Sequence, residues 1–209
     1  VVISGIGAAG VATARLLLSY GVTNVIFCDS QGMIHAGREL TKEKKELLAK
    51  SRGDAKEGDL TFALKNTHVF IGLSKPGVLT QEMIKMMAER PIIFALANPT
   101  PEIMPKEAMK AGVFIMATGR SDYPNQINNS LVFPGAFKGM LEGRIKQFNN
   151  EVFITIAEAL ASYVKHPSVE RILPSMFDKG IVEIVATTVK NLQSRIAVNL
   201  AAYGDVTIK

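Results

Sequence analysis

Val1-Val2-Ile3-Ser4-Gly5-Ile6-Gly7-Ala8-Ala9-Gly10 is the stretch that decides the fold. A short β-branched run enters a glycine turn, and the helix-forming stretch Ala12-Thr13-Ala14-Arg15-Leu16-Leu17-Leu18 leaves it. Strand, G-x-G-x-x-G, helix is the order in which a chain cradles a dinucleotide. The first glycine makes the turn tight, and the second lets the backbone approach a pyrophosphate. The third lets the helix pack close to the strand, so that the diphosphate meets unpaired N–H groups at the helix start. Val25-Ile26-Phe27-Cys28 reads as the next strand, and it ends in Asp29, 19 residues after Gly10. That is near the spacing of an acid that accepts hydrogen bonds from an adenosine ribose. A glycine turn kept for packing alone is the competing reading. The flanking strand and helix, and the acid that follows, weigh against it.

The 209 residues, 47% hydrophobic and 21% charged, suit a globular α/β chain with a sizeable core. The net charge is +5. Lys42, Lys44, Lys45 and Lys50 read as one solvated helix face with no aromatic residues between them, which argues against a nucleic-acid groove. Cys28 is the one cysteine, so no internal disulfide forms, and a reducing, cytoplasmic setting is expected. Its place at the end of an apolar strand makes it a packing residue. The apolar runs are strand-length and broken by Gly, Pro or charge, so neither a signal peptide nor a membrane span is expected. Val1 already lies within a strand, so a piece of a longer protein is expected.

Further along, Ser30-Gln31-Gly32 is turn chemistry. Thr41 is placed to cap a charged helix over 42–51, Asp59 a short one over 60–65, and Thr80 one over 81–89. Val69-Phe70-Ile71-Gly72-Leu73, Ile92-Ile93-Phe94-Ala95-Leu96-Ala97 and Val113-Phe114-Ile115-Met116-Ala117 read as the third, fourth and fifth strands. Between the last two, a helix over 105–110 has Pro in its first turn and Gly112 past its end. These strands are continuously apolar rather than alternating, the mark of a parallel sheet covered on both faces. The fold class is therefore α/β, a Rossmann-type doubly wound parallel sheet with right-handed crossovers and C-terminal helices packed on it. In such a sheet the loops at Gly5, Asp29, Ser74, Asn98 and Thr118 all fall on one rim, where ligands bind. From Ser121 a polar loop leads to a helix-like run ending near Arg144. Asn150 is placed to cap a helix that packs through Val152, Ile156, Leu160 and Val164. A last helix starts near Asp178, read as its N-cap, and runs past Val198. Residues 1–120 are thus read as the βαβ core, and 121–209 as a substrate-facing loop with C-terminal helices.

Two later loops are more specific than the glycine turn. Pro91-Ile92-Ile93-Phe94-Ala95-Leu96-Ala97-Asn98-Pro99-Thr100, followed by Ala117-Thr118-Gly119-Arg120-Ser121-Asp122-Tyr123-Pro124-Asn125-Gln126-Ile127-Asn128-Asn129, resembles the cofactor domain of malic enzymes, particularly the short bacterial type. Asp29-Ser30-Gln31-Gly32 with Gly37-Arg38, Phe133-Pro134-Gly135, and Pro174-Ser175 with Phe177-Asp178 match the same pattern, so the resemblance covers essentially the whole chain. It implies oxidative decarboxylation of (S)-malate to pyruvate and CO2, with NAD or NADP as hydride acceptor and Mg2+ or Mn2+ assisting. It implies Gly5, Gly7, Ala8 and Gly10 on the pyrophosphate, Asp29 near the adenosine ribose and Ser74 in the cofactor groove. Asn98 would stand between nicotinamide and substrate, with Asn128 and Asn129 facing the substrate. In that family the metal-binding carboxylates and the acid–base Tyr and Lys lie upstream of the glycine turn. No metal ligand and no catalytic acid or base is therefore expected in this chain. The isolated piece should be inactive without the N-terminal domain of the same chain; a homo-oligomer is expected, with no role for nucleic acid or membrane.

Blander readings stand beside these. Asn98 before Pro99 suits an Asx-turn, Asn128 and Asn129 suit a helix cap, and Ser74 suits a turn before Pro76. The three histidines show no ligand spacing. An acid after the second strand favours the 2′-hydroxyl of NAD, while Ser30, Arg38 and nearby lysines suit the 2′-phosphate of NADP. Another Rossmann dehydrogenase, of the amino-acid type, and a non-catalytic dinucleotide sensor are the alternatives in function.

Overall fold

Five short apolar strands form a parallel array in the computed structural model, which describes residues 1–192. They are β1 (Val2–Ser4), β2 (Ile26–Asp29), β4 (Val69–Gly72), β5 (Ile92–Ala95) and β6 (Ile115–Thr118). A sixth, β3 (Gly32–Met33), is antiparallel to β2, with Cys28 opposite Met33 and Asp29 opposite Gly32. The order across the sheet is β3-β2-β1-β4-β5-β6. The two-residue strand β3 was not expected, because it is too short to carry a pattern and forms only when the turn after Asp29 folds back on β2.

Two-sided burial is explicit in the strands. Val2, Cys28, Phe70, Ile93, Ala95 and Met116 enter one core, while Ile3, Phe27 and Ile71 enter the other. Adjacent residues of a strand point to opposite faces, so both must be apolar when helices cover both. On the second face lie α1 (Ala8–Ser19) and α2 (Lys42–Lys50), which contribute Ala14 and Leu47 to that core. The first face takes Leu64 of α3 (Leu60–Leu64), Ile84 of α4 (Gln81–Lys85) and Ala108 of α5 (Pro105–Lys110). Cys28 is buried there, as its strand position predicts, and burial pushes its thiol up to about 12.

Helix starts follow the sequence closely. Thr41, Asp59 and Thr80 each accept a backbone N–H three residues on, from Lys44, Phe62 and Met83. Helix α4 ends at Lys85, not at residue 89, because the backbone just beyond it bonds elsewhere. Asn66 donates to the Met86 carbonyl, and the Ala88 N–H donates to Thr67.

The chain divides into two compact units, Val1–Ile127 with Ser168–Arg171, and Asn128–Pro167 with the chain from Ile172. The second holds α6 (Phe133–Glu142), α7 (Asn150–Tyr163) and α8 (Ile181–Lys190) around its own core of Leu131, Met140, Val152, Ile156, Leu160 and Val185, among others. Asn149, one residue earlier than expected, caps α7 by accepting the Val152 N–H. Asp178 is not a helix cap. It accepts the Ser175 N–H in a turn, and α8 begins after Gly180. The part of the last helix expected beyond residue 192 lies outside the described residues. Among the described residues no helix is long and apolar enough to cross a membrane.

Helices α6 and α8 touch through glycine. A Cβ on Gly135 would stand 2.6 Å from the Val182 carbonyl oxygen, and one on Gly139 would stand 2.8 Å from Val189 Cβ. Gly139→Ala should therefore destabilise the second unit by about 1–3 kcal/mol, the usual range for overpacking. A lower urea midpoint at unchanged slope is the expected reading.

Candidate functional site

Because β1, β2, β4, β5 and β6 are parallel, their carboxyl ends share one edge of the sheet. The chain leaves β1 for β2 on one side and returns to β4 on the other. A crevice opens at such a reversal, and it is where ligands bind in this architecture. Here it is a cleft of about 1150 Å³ whose lining includes Gly5, Gly7, Asp29, Arg38 and Ser74. Gly7 and Ala8 also line an adjoining, smaller hollow with Lys44. Gly7 is the N-cap of α1, no side chain caps that end, and its first turn holds no acid. The helix therefore presents unpaired N–H groups and an uncompensated positive end to the cleft.

The glycines of the turn divide by task. Gly5 has φ +99°, and a Cβ there would lie 2.6 Å from the Leu73 carbonyl carbon. A Cβ on Gly10 would overlap the Gly5 carbonyl oxygen. Both are demanded by the protein's own packing. Gly7 is different: nothing lies within 4 Å of where its Cβ would be.

Asp29 also lines the cleft, but it does not stand alone. Its Oδ1 accepts the Gln31 N–H at 2.9 Å. Its Oδ2 accepts from Arg38 Nη2 at 2.9 Å and from Lys44 Nζ at 2.7 Å. Burial works to raise this carboxyl, and the bonds from Arg38, Lys44 and the Gln31 amide outweigh it, holding it at about 2. Lys44 thus leaves the solvated helix face expected from the sequence. Arg38 also donates to the Met33 carbonyl and to Gln31 Oε1, so the cations are fixed as firmly as the acid.

Ser74 follows β4, and its hydroxyl and backbone N–H both donate to Oε1 of Glu102. The other oxygen of Glu102 accepts the Ala97 N–H at 3.0 Å. Asn98, the next residue, is exposed at the end of β5 outside the cleft lining, and its Oδ1 is 3.1 Å from where a Gly119 Cβ would be. Glu102 is absent from the sequence reading. Its one signal was an acid in the mostly apolar run Pro99–Pro105, where nothing else explains a charge. Asn128 and Asn129 fold with the second unit. Asn128 Oδ1 caps a short 3₁₀ turn, Asn129–Leu131, by accepting the Ser130 N–H, and Asn129 is exposed. The blander reading of Asn128 is thus present in the geometry, while its amide nitrogen remains a donor. Among the described residues no three His, Cys, Asp or Glu side chains gather as metal ligands would.

Residues 1–194 match the family model described as malic enzyme, NAD binding domain. The chain is 46% identical over 193 residues to the bifunctional malic/malolactic enzyme of Bacillus subtilis, covering 90% of this chain and 47% of that one. It is 45% identical over 194 residues to the NAD-dependent malic enzyme of Geobacillus stearothermophilus, covering 90% and 40%. The crystal structure of the NAD-dependent malic enzyme of Thermotoga maritima superposes with a TM-score of 0.85 at 42% identity, over 90% of this chain and 50% of that one. The chain thus spans half or less of the length of these relatives.

The Asp29 cluster has a pH consequence. Its folded carboxyl, at about 2, lies below the unfolded value near ~4. The stability it contributes is therefore fully present above about pH 4 and is lost as pH falls toward 2. Asp29→Asn should flatten the acid limb of urea midpoint against pH in that window, and it should leave the slope above pH 5 unchanged.

Proposed function

The chain belongs to the malic enzyme family, whose NAD-binding domain it matches over residues 1–194, and from that premise we propose how it serves such an enzyme. It is the cofactor-holding part of a protein that oxidises (S)-malate and releases pyruvate and CO2, with NAD or NADP reduced. One observation carries this reading. The turn keeps a glycine, Gly7, at a position where the protein itself has room for a side chain. Space held open beside a bare helix N-terminus fits a diphosphate.

On this reading Gly5, Gly7, Ala8 and Gly10 form the pyrophosphate cradle, with Gly7 the point of closest approach. Asp29 meets the adenosine ribose. Its charge is balanced by Arg38 and Lys44, so this end of the cleft does not repel a 2′-phosphate as a bare acid would, and either cofactor fits. Ser74 lines the groove toward the nicotinamide, which takes the hydride from C2 of malate when bound. Asn98 stands at that reactive end and contacts both cofactor and substrate. Its amide is neutral, and it donates to a carboxylate or hydroxyl without setting a charge beside the nicotinamide. Asn128 and Asn129 are assigned to malate. The Asn128 oxygen is already used by Ser130, which leaves its N–H groups as the donors a carboxylate needs.

The described residues do not fit a divalent cation. The ligands for Mg2+ or Mn2+, and the acid–base groups, are assigned to protein outside this chain, and the chain by itself should turn over no malate. The full-length protein with malate, Mn2+ and NAD(P) should yield NAD(P)H and pyruvate in equal amounts. Reduction without pyruvate would instead indicate a plain dehydrogenase, and binding without reduction a sensor.

The glycines offer a sharper check. Gly7→Ala should leave the melting temperature within about 2 °C, since its Cβ meets nothing, yet weaken NAD(P) binding roughly tenfold or more by crowding the diphosphate. Gly10→Ala should do the reverse in order of effect, lowering the melting temperature first. Calorimetric titration beside thermal melts reads both.

A further inference from the structure

Glu102 is the one carboxylate among the described residues with no exposed surface at all. A buried charge is costly unless its lone pairs are met. Here they are met by groups from two loops. Oε1 takes the Ser74 N–H at 2.9 Å and the Ser74 hydroxyl at 3.3 Å, and Oε2 takes the Ala97 N–H at 3.0 Å. The backbone carbonyl of Glu102 also accepts the Leu79 N–H. Among the described ion pairs no cation faces it. The sheet makes room for it, since a Cβ on Gly72 would lie 2.6 and 2.7 Å from its two oxygens.

Apolar packing would fill this space at less cost than a charge. What an apolar side chain cannot do is hold two separate backbone amides at a fixed distance. Those amides belong to Ser74 and to the residue before Asn98, and the Asn98 side chain in turn lies against Gly119. The chain Ser74–Glu102–Ala97–Asn98–Gly119 therefore spans the ends of β4, β5 and β6.

We propose that Glu102 is a positioning residue that sets Ser74 and Asn98 against the nicotinamide end of the cofactor. The proposal rests on the functional reading given above. Glutamine does not replace it, because each oxygen faces an N–H and an amide would turn one of those contacts into donor against donor. The bonds of Glu102 involve none of Gly5–Gly10 or Asp29, which hold the adenine half of the cofactor, although Gly5 packs against the Ser74 backbone.

The test uses the full-length enzyme with Glu102→Gln. A fall in kcat of roughly tenfold or more is expected, the scale of a misplaced reacting group. Binding of ADP-ribose, which lacks the nicotinamide, should change by less than about twofold. An unchanged kcat would overturn the proposal. So would a parallel loss of ADP-ribose affinity, which would mark general loosening of the sheet edge. If the wild-type enzyme failed to bind ADP-ribose, the functional reading would fall, and this proposal with it. Should the variant not fold, amide exchange on the wild-type protein decides. The Ser74 and Ala97 N–H groups should exchange far more slowly than those of Lys75 and Gly77 in the same rim, and equal rates would overturn the clamp.

Discussion

The structure depends on how closely the backbone of α1 comes to the turn that ends β1. At Gly10 that approach leaves no space for a methyl group against the Gly5 carbonyl. This contact fixes where the helix begins, and so where its unpaired N–H groups point. It also sets α1 on the face where Ile3, Phe27 and Ile71 already wait. A helix standing off by one carbon would leave that core underpacked and carry its positive end away from the cleft. The site and the core on that face are thus products of one close contact.

Two carboxylates at the sheet edge show opposite solutions to burial. Asp29, with 13% of its side chain exposed, is balanced by two cations. Glu102, with none, is balanced by amides and a hydroxyl. Near solvent, long cationic side chains reach the acid and keep their stems packed. In the interior, fixed backbone dipoles do the same work with no second charge to bury. The first arrangement changes what an approaching ligand feels, and the second holds loops in place.

What was legible in the sequence was local. The glycine turn, the caps at Thr41, Asp59 and Thr80, and the continuous apolar strands each carry their cause within a few residues. The Asn149 cap was misplaced by one position because two asparagines stand side by side. Illegible features join distant parts of the chain. Ser74 and Glu102 are 28 residues apart, and Asp29 and Lys44 are 15. A lysine in a run of lysines looks solvated until the fold brings an acid to it. The helix contact at Gly135 and Gly139 did leave a trace, glycines four residues apart on one helix, but the partner that gives the spacing meaning, α8, lies more than forty residues on. Of the candidate site, the glycine turn and the acid were readable as residue types, while what holds the acid, and what holds the loops around it, was not.

The thiol of Cys28 carries a practical corollary. With no other cysteine in the chain, and this one buried with its thiol pushed up to about 12, these 209 residues offer little thiolate to maleimides and mild oxidants, which attack that form. A cysteine introduced on either unit would be the sole labelling point. Within this chain, a fluorophore or spin label placed there would need no native cysteine removed first.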